Sequence, residues 1–377
     1  MKILYCIAGT CNSGGMERVL ANKANYLVSR GYVVVIATTD QRGRAPFFVL
    51  DERIRCYDLG INYDENNGKS LFNKLLHYPF KQHRHKRRLN ALLAEERPDV
   101  VVSMFCNEAS IVPALQDGSR KVLEIHFSKF KRVQYARRGL WRLVDLWRSR
   151  MDERLVRRYD RFVVLTEEDR GYWGALPNIE VIPNARTFNP ATKADLRSKR
   201  VVAVGRYTHQ KGFECLLEAW ARIANQSPDW QLDLVGEGED RAMLQASIDR
   251  LGIGDSARLT GTQSDMDALY RSASVVALSS RYEGLPMILL EAQAYGLPIV
   301  SFACKCGPRD IVTDGVDGFL VEEGDIEALA SRLGRVMQDE ELRLRMGEAA
   351  ALASMRFDEE RIMDRWINLF TELTAQR

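Results

Sequence analysis

Short runs of small and β-branched residues alternate along this chain with longer stretches whose apolar positions recur every three to four residues. In the first half, Ile3–Ala8, Val33–Thr38, Val100–Met104, Lys121–Ile125 and Arg161–Leu165 predict buried strands. Helices that include Met16–Arg30 and Arg84–Glu96 separate them. In the second half, Arg200–Gly205, Trp230–Val235, Ala257–Thr260, Val275–Leu278 and Ile299–Ser301 alternate with helices over Phe213–Ala224, Asp240–Leu251 and Gln263–Arg271. Near-continuous apolar strands between amphipathic helices predict an α/β protein with parallel sheets covered on both faces. The alternation stops at the proline-containing polar stretch Val181–Pro190 and then restarts. Two doubly wound domains, 1–185 and 186–377, are therefore expected. Ligands of such sheets bind outside the carboxyl ends of the strands. With two domains facing each other, the expected site is the cleft between them.

A chain of 377 residues can bury two cores, and 46% hydrophobic with 28% charged residues is the make-up of a globular protein. No apolar run reaches the ~20 residues that span a bilayer. The apolar part of Met1–Gly9 is too short for a signal peptide and reads as the first strand. Seven scattered cysteines form no disulfide framework, so the cytoplasm is the expected compartment. Cys304-Lys305-Cys306 has no second cysteine pair or histidine cluster nearby, and no metal site is expected there. The net charge of +3 hides an asymmetry, +10 over residues 1–185 and −7 over 186–377. Most of the excess lies in residues 81–88 and 129–161. The second cluster interleaves its bases with Tyr135, Leu140, Trp141, Leu143, Val144, Leu146 and Trp147. That mixture suits a helix lying on anionic lipid headgroups. A helix that packs its aromatic face into the core fits equally well, and the sequence leaves both open. No nucleic-acid motif accompanies the charge, so nucleic acid is not an expected partner.

Four loops carry the chemistry. After the first strand, Gly9-Thr10-Cys11-Asn12-Ser13-Gly14-Gly15-Met16-Glu17-Arg18 opens a helix, and the Gly14-Gly15 pair lets backbone approach a ligand closely. The spacing is not that of the dinucleotide signature, and Asp40 poorly matches its acidic partner, which argues against a dehydrogenase or an epimerase. After the strand Arg200–Gly205, Arg206 and Lys211 stand five residues apart, a planar fork and a point charge able to neutralise a leaving diphosphate. Val235-Gly236-Glu237-Gly238 suits backbone contact to a nucleoside or a simple turn. Finally, Ser279–Glu291 forms a strand-to-helix junction with Pro286 in the first turn. Glu283 lies ahead of that helix and Glu291 inside it, about 7–8 Å along the axis from Pro286. The helix start between them is a ready anion site. Each of these loops, taken alone, also reads as an ordinary surface turn.

In this order, Gly-Gly-x-Glu-Arg, Gly-Arg-x(4)-Lys-Gly, Gly-x-Gly and Glu-Gly-x-Pro-x(4)-Glu, the motifs resemble family 4 of the retaining glycosyltransferases, which have the GT-B fold. The resemblance implies two Rossmann-like domains, an acceptor domain first and a donor domain second, with the last helix packing back toward the first. It implies that Arg206 and Lys211 hold the donor diphosphate and that Glu283 faces the donor sugar. Gly284, Leu285 and Pro286 would form the loop that offers backbone N–H groups to sugar and phosphates, and Glu291 would bind the ribose hydroxyls. Gly236 would contact the nucleoside. Gly14 and Gly15 would lie under the diphosphate and acceptor, and His126 would stand near the reacting sugar. The expected co-substrate is a nucleotide-sugar, UDP-linked, with no cofactor or metal. The expected acceptor is a glycan or polyprenyl-linked sugar of a capsule or O-antigen, met by a protein peripheral on the inner membrane face. A non-catalytic nucleotide-sugar binding protein is the remaining rival. Ala303 and Lys305 stand where many relatives carry Asp and Pro, which leaves that loop's role open.

Overall fold

The computed structural model describes residues 1–66, 71–131 and 140–375. They divide into two compact units. The first holds Met1–Leu165, Asp169–Pro183 and the chain from Glu360 onward; the second holds Thr166–Glu168 and Asn184–Glu359.

The first unit is built on seven described strands: β1 (Lys2–Ile7), β2 (Val33–Thr38), β3 (Arg55–Asp58), β4 (Val100–Ser103), β5 (Arg120–Glu124), β6 (Arg161–Val164) and β7 (Ile179–Val181). They pair in parallel in the order β3-β2-β1-β4-β5-β6-β7, with Leu4 of β1 between Val35 and Val101. The chain reverses its winding direction between β1 and β4, and helices α1 (Gly15–Ser29), α2 (Leu71–Glu96), α3 (Leu140–Val156) and α4 (Glu167–Trp173) make the connections. Ile3, Leu4, Val34, Val35, Val100 and Val101 are completely buried, which explains why these strands read as continuous apolar runs.

The second unit repeats the plan with β8 (Arg200–Val204), β9 (Gln231–Val235), β10 (Ala257–Gly261), β11 (Val275–Leu278), β12 (Ile299–Phe302) and β13 (Gly318–Val321), in the order β10-β9-β8-β11-β12-β13. Its helices are α5 (Phe213–Ile223), α6 (Arg241–Leu251), α7 (Met266–Arg271), α8 (Met287–Ala294), α9 (Pro308–Ile311), α10 (Ile326–Gln338) and α11 (Glu340–Ser354). Leu216, Leu217 and Trp220 of α5 and Leu329, Leu333 and Val336 of α10 pack in one core with the sheet. The last helix, α12 (Glu359–Ala375), belongs to the first unit, where Trp366 and Phe370 are buried.

Three strands lie outside the set that the sequence predicts: β3, β7 and β13. Each ends a sheet, and two are polar or very short, Arg-Cys-Tyr-Asp and Ile-Glu-Val. In β3 and β7 the edge position asks for few apolar residues and the pattern is faint, whereas β13, Gly-Phe-Leu-Val, is apolar but short.

Candidate functional site

In the second unit, the loops after β8, β9, β11 and β12 leave the carboxyl ends of neighbouring strands, so topology gathers four sequence-distant motifs at one edge. Backbone and side chains lace them together. Arg281 N donates to Gln210 O at 2.8 Å, Gln210 Nε2 to Tyr282 O at 2.9 Å, and Ser279 Oγ to Lys211 O at 2.9 Å. Gly236, at φ +149°, presses against the carbonyl of Gly205 where a Cβ would clash, so the β8 and β9 loops touch through backbone.

Lys211 Nζ donates to Glu283 Oε1 at 2.7 Å, and the pair is largely enclosed. Residues 72 positions apart thus make one ion pair at the junction that begins α8. The sequence groups Lys211 with Arg206; the structure pairs it with Glu283. Arg206 itself is exposed and has no partner among the described residues. A cation held by a carboxylate and a free cation now share one loop. Gly284, Leu285 and Pro286 follow, with Pro286 as the residue that caps α8. Gly307, at φ +102°, abuts the Pro286 ring with no room for a Cβ and holds this loop from the β12 side.

Glu291, inside α8, is buried rather than solvated, and Tyr270 Oη donates to its Oε2 at 2.6 Å. Tyr270 and Tyr295 lie 5.2 Å apart by ring centroid and both meet Phe188. Tyr270 was invisible as a site residue, because a tyrosine in an apolar helix reads as core.

In the first unit, Gly14 caps α1 without any side-chain hydrogen bond. A Cβ at Gly14 would strike the Glu17 carboxylate, whereas Gly15 has open space around its Cα. The positive end of α1 therefore already carries a carboxylate, which favours ligand hydroxyls over a second anion there. After β5, His126 places Nε2 at 3.1 Å from Glu124 Oε1, out of line for a good hydrogen bond. Glu124 also receives Lys23 Nζ at 2.6 and 2.5 Å on its two oxygens. Burial works to raise the Glu124 pKa, but Lys23 and His126 outweigh it and hold the carboxyl down at about 2. Lys23 and Glu124 were missed. The signal was present, since Lys23 interrupts the helical stripe Leu20, Ala24, Leu27, and Glu124 interrupts the strand Val122-Leu123-Glu124-Ile125.

A scan against family models matches residues 185–353 to "Glycosyl transferases group 1" and residues 13–186 to "Glycosyltransferase Family 4". An uncharacterized glycosyltransferase of Haemophilus influenzae is 31% identical over 370 residues, covering 97% of this chain and 98% of its own. The chain belongs to the GT-B glycosyltransferases. The amylovoran biosynthesis glycosyltransferase AmsD of Erwinia amylovora is 28% identical, covering 97% of this glycosyltransferase and 98% of AmsD. A Campylobacter jejuni α-1,4-N-acetyl-D-galactosaminyltransferase, named for its undecaprenol-diphosphate-linked acceptor, is 26% identical over 99% of both chains. Among solved structures, sucrose-phosphate synthase from Thermosynechococcus elongatus superposes with a TM-score of 0.83 at 20% identity over 100% of both chains. A mutant of S. aureus TarM in complex with fondaparinux, α-GlcNAc-glycerol and UDP gives 0.79 at 15% identity, covering 98% of this chain and 99% of that one.

The two departures of this glycosyltransferase from the motif pattern fall beside Glu283. Ala303 is buried, and Lys305 is exposed while its carbonyl accepts from Glu283 N at 3.2 Å. The backbone at position 305 thus braces the candidate donor loop whatever its side chain does. Cys304 and Cys306 are buried free thiols, and among the described residues no group of three or more ligating side chains is placed to hold a metal.

The basic clusters split into two kinds of residue. In 81–88, His85 is buried with Nδ1 at 3.1 Å from Tyr63 Oη, and the Arg88 guanidinium donates to the carbonyls of Leu59 and Gly60. Both serve the fold. His83, Arg84, Lys86 and Arg87 are exposed, next to Phe80 at 72% exposure. On α3, Leu143 and Trp147 are 63% and 62% exposed, with Leu146 and Met151 also outward, so these residues do not pack into a core. Residues 132–139, with Tyr135, lie outside the described residues, as do the side chains of Leu140 and Trp141. Among the described residues, no helix is long and apolar enough to cross a membrane.

Proposed function

We propose that this glycosyltransferase moves a hexose or N-acetylhexosamine from a UDP-sugar to a glycan or lipid-linked acceptor, with retention of configuration, in cell-surface polysaccharide biosynthesis. The observation that carries the reading is the Lys211–Glu283 pair beside the unpartnered Arg206, at the carboxyl ends of β8 and β11. In the reading, the acceptor hydroxyl oxygen bonds to the anomeric carbon as the bond to the diphosphate breaks, UDP leaves with the bonding electrons, and the hydroxyl proton passes to the departing diphosphate oxygen. Arg206 and Lys211 neutralise the departing diphosphate and Glu283 meets the sugar, so that positioning and preorganised charge lower the barrier without a metal. Gly284, Leu285 and Pro286 offer the α8 end to sugar and phosphate, Gly236 lies along the nucleoside, and Glu291, steadied by Tyr270, holds the ribose. Gly14, Gly15 and His126 belong to the acceptor side. UDP in the TarM complex and the undecaprenol-linked acceptor named for the Campylobacter relative support the choice of substrates.

The exposed Trp147, Leu143 and Phe80 among Arg and Lys residues support a peripheral position on the anionic inner face of the membrane, where a lipid-linked acceptor resides. A panel of UDP- and GDP-sugars tests the donor, read as binding and as slow donor hydrolysis. Saturable UDP release from a UDP-sugar, with product anomeric configuration retained by NMR, is the expected outcome. Indifference to every UDP-sugar, or inversion, overturns the reading. Failure to sediment with anionic liposomes at low salt removes its membrane half alone.

A further inference from the structure

The Lys23–Glu124 pair lies wholly inside the first unit, with side chains 6% and 1% exposed. Buried ion pairs of this kind are commonly replaced by packed apolar residues without loss of stability. Both residues interrupt apolar stripes where Leu or Met would pack. Lys23 Nζ also sits over the Trp366 ring, 3.9 Å from its centroid, so α12 closes the pair from the far side. Tyr5 lies beside it, 5.7 Å from Lys23 Nζ, with its hydroxyl buried and unpaired.

One group in this cluster reaches out of the core. Glu124 ends β5 and His126 follows two residues on, a spacing that sends both side chains the same way. His126 Nε2 is sealed from solvent beside Glu124 Oε1, an oxygen it shares with Lys23. Nδ1 has no hydrogen-bond partner among the described residues and is not sealed. We propose that Glu124 is a positioning residue for His126: its carboxylate, 3.1 Å from Nε2 though out of line for a hydrogen bond, draws that edge of the ring inward by charge, so that Nδ1 faces the substrate as a hydrogen-bond acceptor, while Lys23 neutralises Glu124. The charged and titratable groups around Glu124 are Lys23 from α1, His126 beyond β5 and Tyr5 from β1. The function of Nδ1 rests on the reading that His126 meets a substrate hydroxyl.

A double-mutant cycle on the full-length protein tests the proposal. The variants are Glu124→Gln, His126→Ala, their combination, and Lys23→Met/Glu124→Leu, which replaces the ion pair with apolar side chains. The assay is UDP release from whichever UDP-sugar is turned over. Glu124→Gln should lower kcat on the order of 10- to 100-fold with little change in donor KM. In the His126→Ala background the same substitution should have less than about a twofold effect. The Lys23→Met/Glu124→Leu variant should unfold at the wild-type temperature yet match the loss in Glu124→Gln. It covers the case in which the single variant fails to fold. Additive losses, or wild-type kcat in either Glu124 variant, overturn the proposal. Separately, 15N NMR of the imidazole should find the proton on Nε2 in the wild type and spread over both nitrogens in Lys23→Met/Glu124→Leu. An unchanged tautomer also overturns it. Wild-type turnover of His126→Ala, with the tautomer result as expected, removes instead the reading that His126 meets substrate.

Discussion

Two Lys–Glu pairs of the same chemistry occupy opposite physical settings in this molecule. Lys211–Glu283 joins two loops at 2.7 Å, and Lys211 keeps 18% of its side chain exposed. Lys23–Glu124 joins a helix to a strand at 2.5 Å, with both side chains enclosed. A pair on loops, with water at one end, can exchange its partner for a phosphate or a sugar hydroxyl. A pair in the core cannot, because separating its charges leaves each unsolvated. The first is suited to being broken by a ligand, and the second to holding its neighbour still.

The comparison is sharpened most by deleting each cation or carboxylate in turn. Lys211→Ala should reduce sugar transfer by roughly 10²–10³-fold, the scale for losing one preorganised charge contact, while circular dichroism and the unfolding temperature stay near wild type. Wild-type turnover would break the functional half of the contrast. Glu124→Ala should act on folding as well as on turnover, destabilising the first unit by about 3–5 kcal/mol, since it strands Lys23 in the core. Urea titration reads this, and Glu283→Ala should cost only about 1 kcal/mol by the same measurement.

Acid should separate the pairs next. The Glu124 carboxyl lies at about 2 in the folded protein against an ordinary 4.5. Between those values the unfolded chain takes up a proton that the folded chain does not, so stability falls as pH drops from about 4.5 to about 2. The Lys23→Met/Glu124→Leu variant should lose that share of the acid slope in denaturation midpoints taken across the window; an identical slope would show that the pair does not contribute it. The smallest effect belongs to Tyr270→Phe. Removing one hydrogen bond to Glu291 should weaken UDP binding about three- to tenfold by calorimetry, equivalent to about 1 kcal/mol.

Much of this was legible in the sequence, and the failures share a cause. The interior strands β1, β2, β4, β5, β6, β8, β9, β11 and β12 were readable because burial on both faces demands a continuous apolar run. The sheet-edge strands β3 and β7 carry no such demand, while β13 is apolar but only four residues long. The motif residues Arg206, Lys211, Glu283 and Glu291 could be singled out through the order of their motifs, which resembles that of the family, since each motif alone also reads as an ordinary turn or helix start. Their partners could not. Lys211 and Glu283 are separated by 72 positions, Glu124 and Lys23 by 101, and no local pattern encodes such a pairing. The basic cluster 81–88 shows the same limit, since His85 and Arg88 turn inward to Tyr63, Leu59 and Gly60 while their neighbours face water.

The sequence by itself determined two parallel-sheet domains and pointed to the candidate loops at their strand ends, because strand burial and loop composition are local properties that a linear pattern records. The tertiary structure alone decided which charges are free and which are already paired. Arg206 is left open, Lys211 is held by Glu283, Glu291 by Tyr270, and Glu124 by Lys23. The reason is the range of the interactions. A salt bridge or a buried hydrogen bond depends on distances of a few ångströms in space, and only the winding of the sheets brings those residues together.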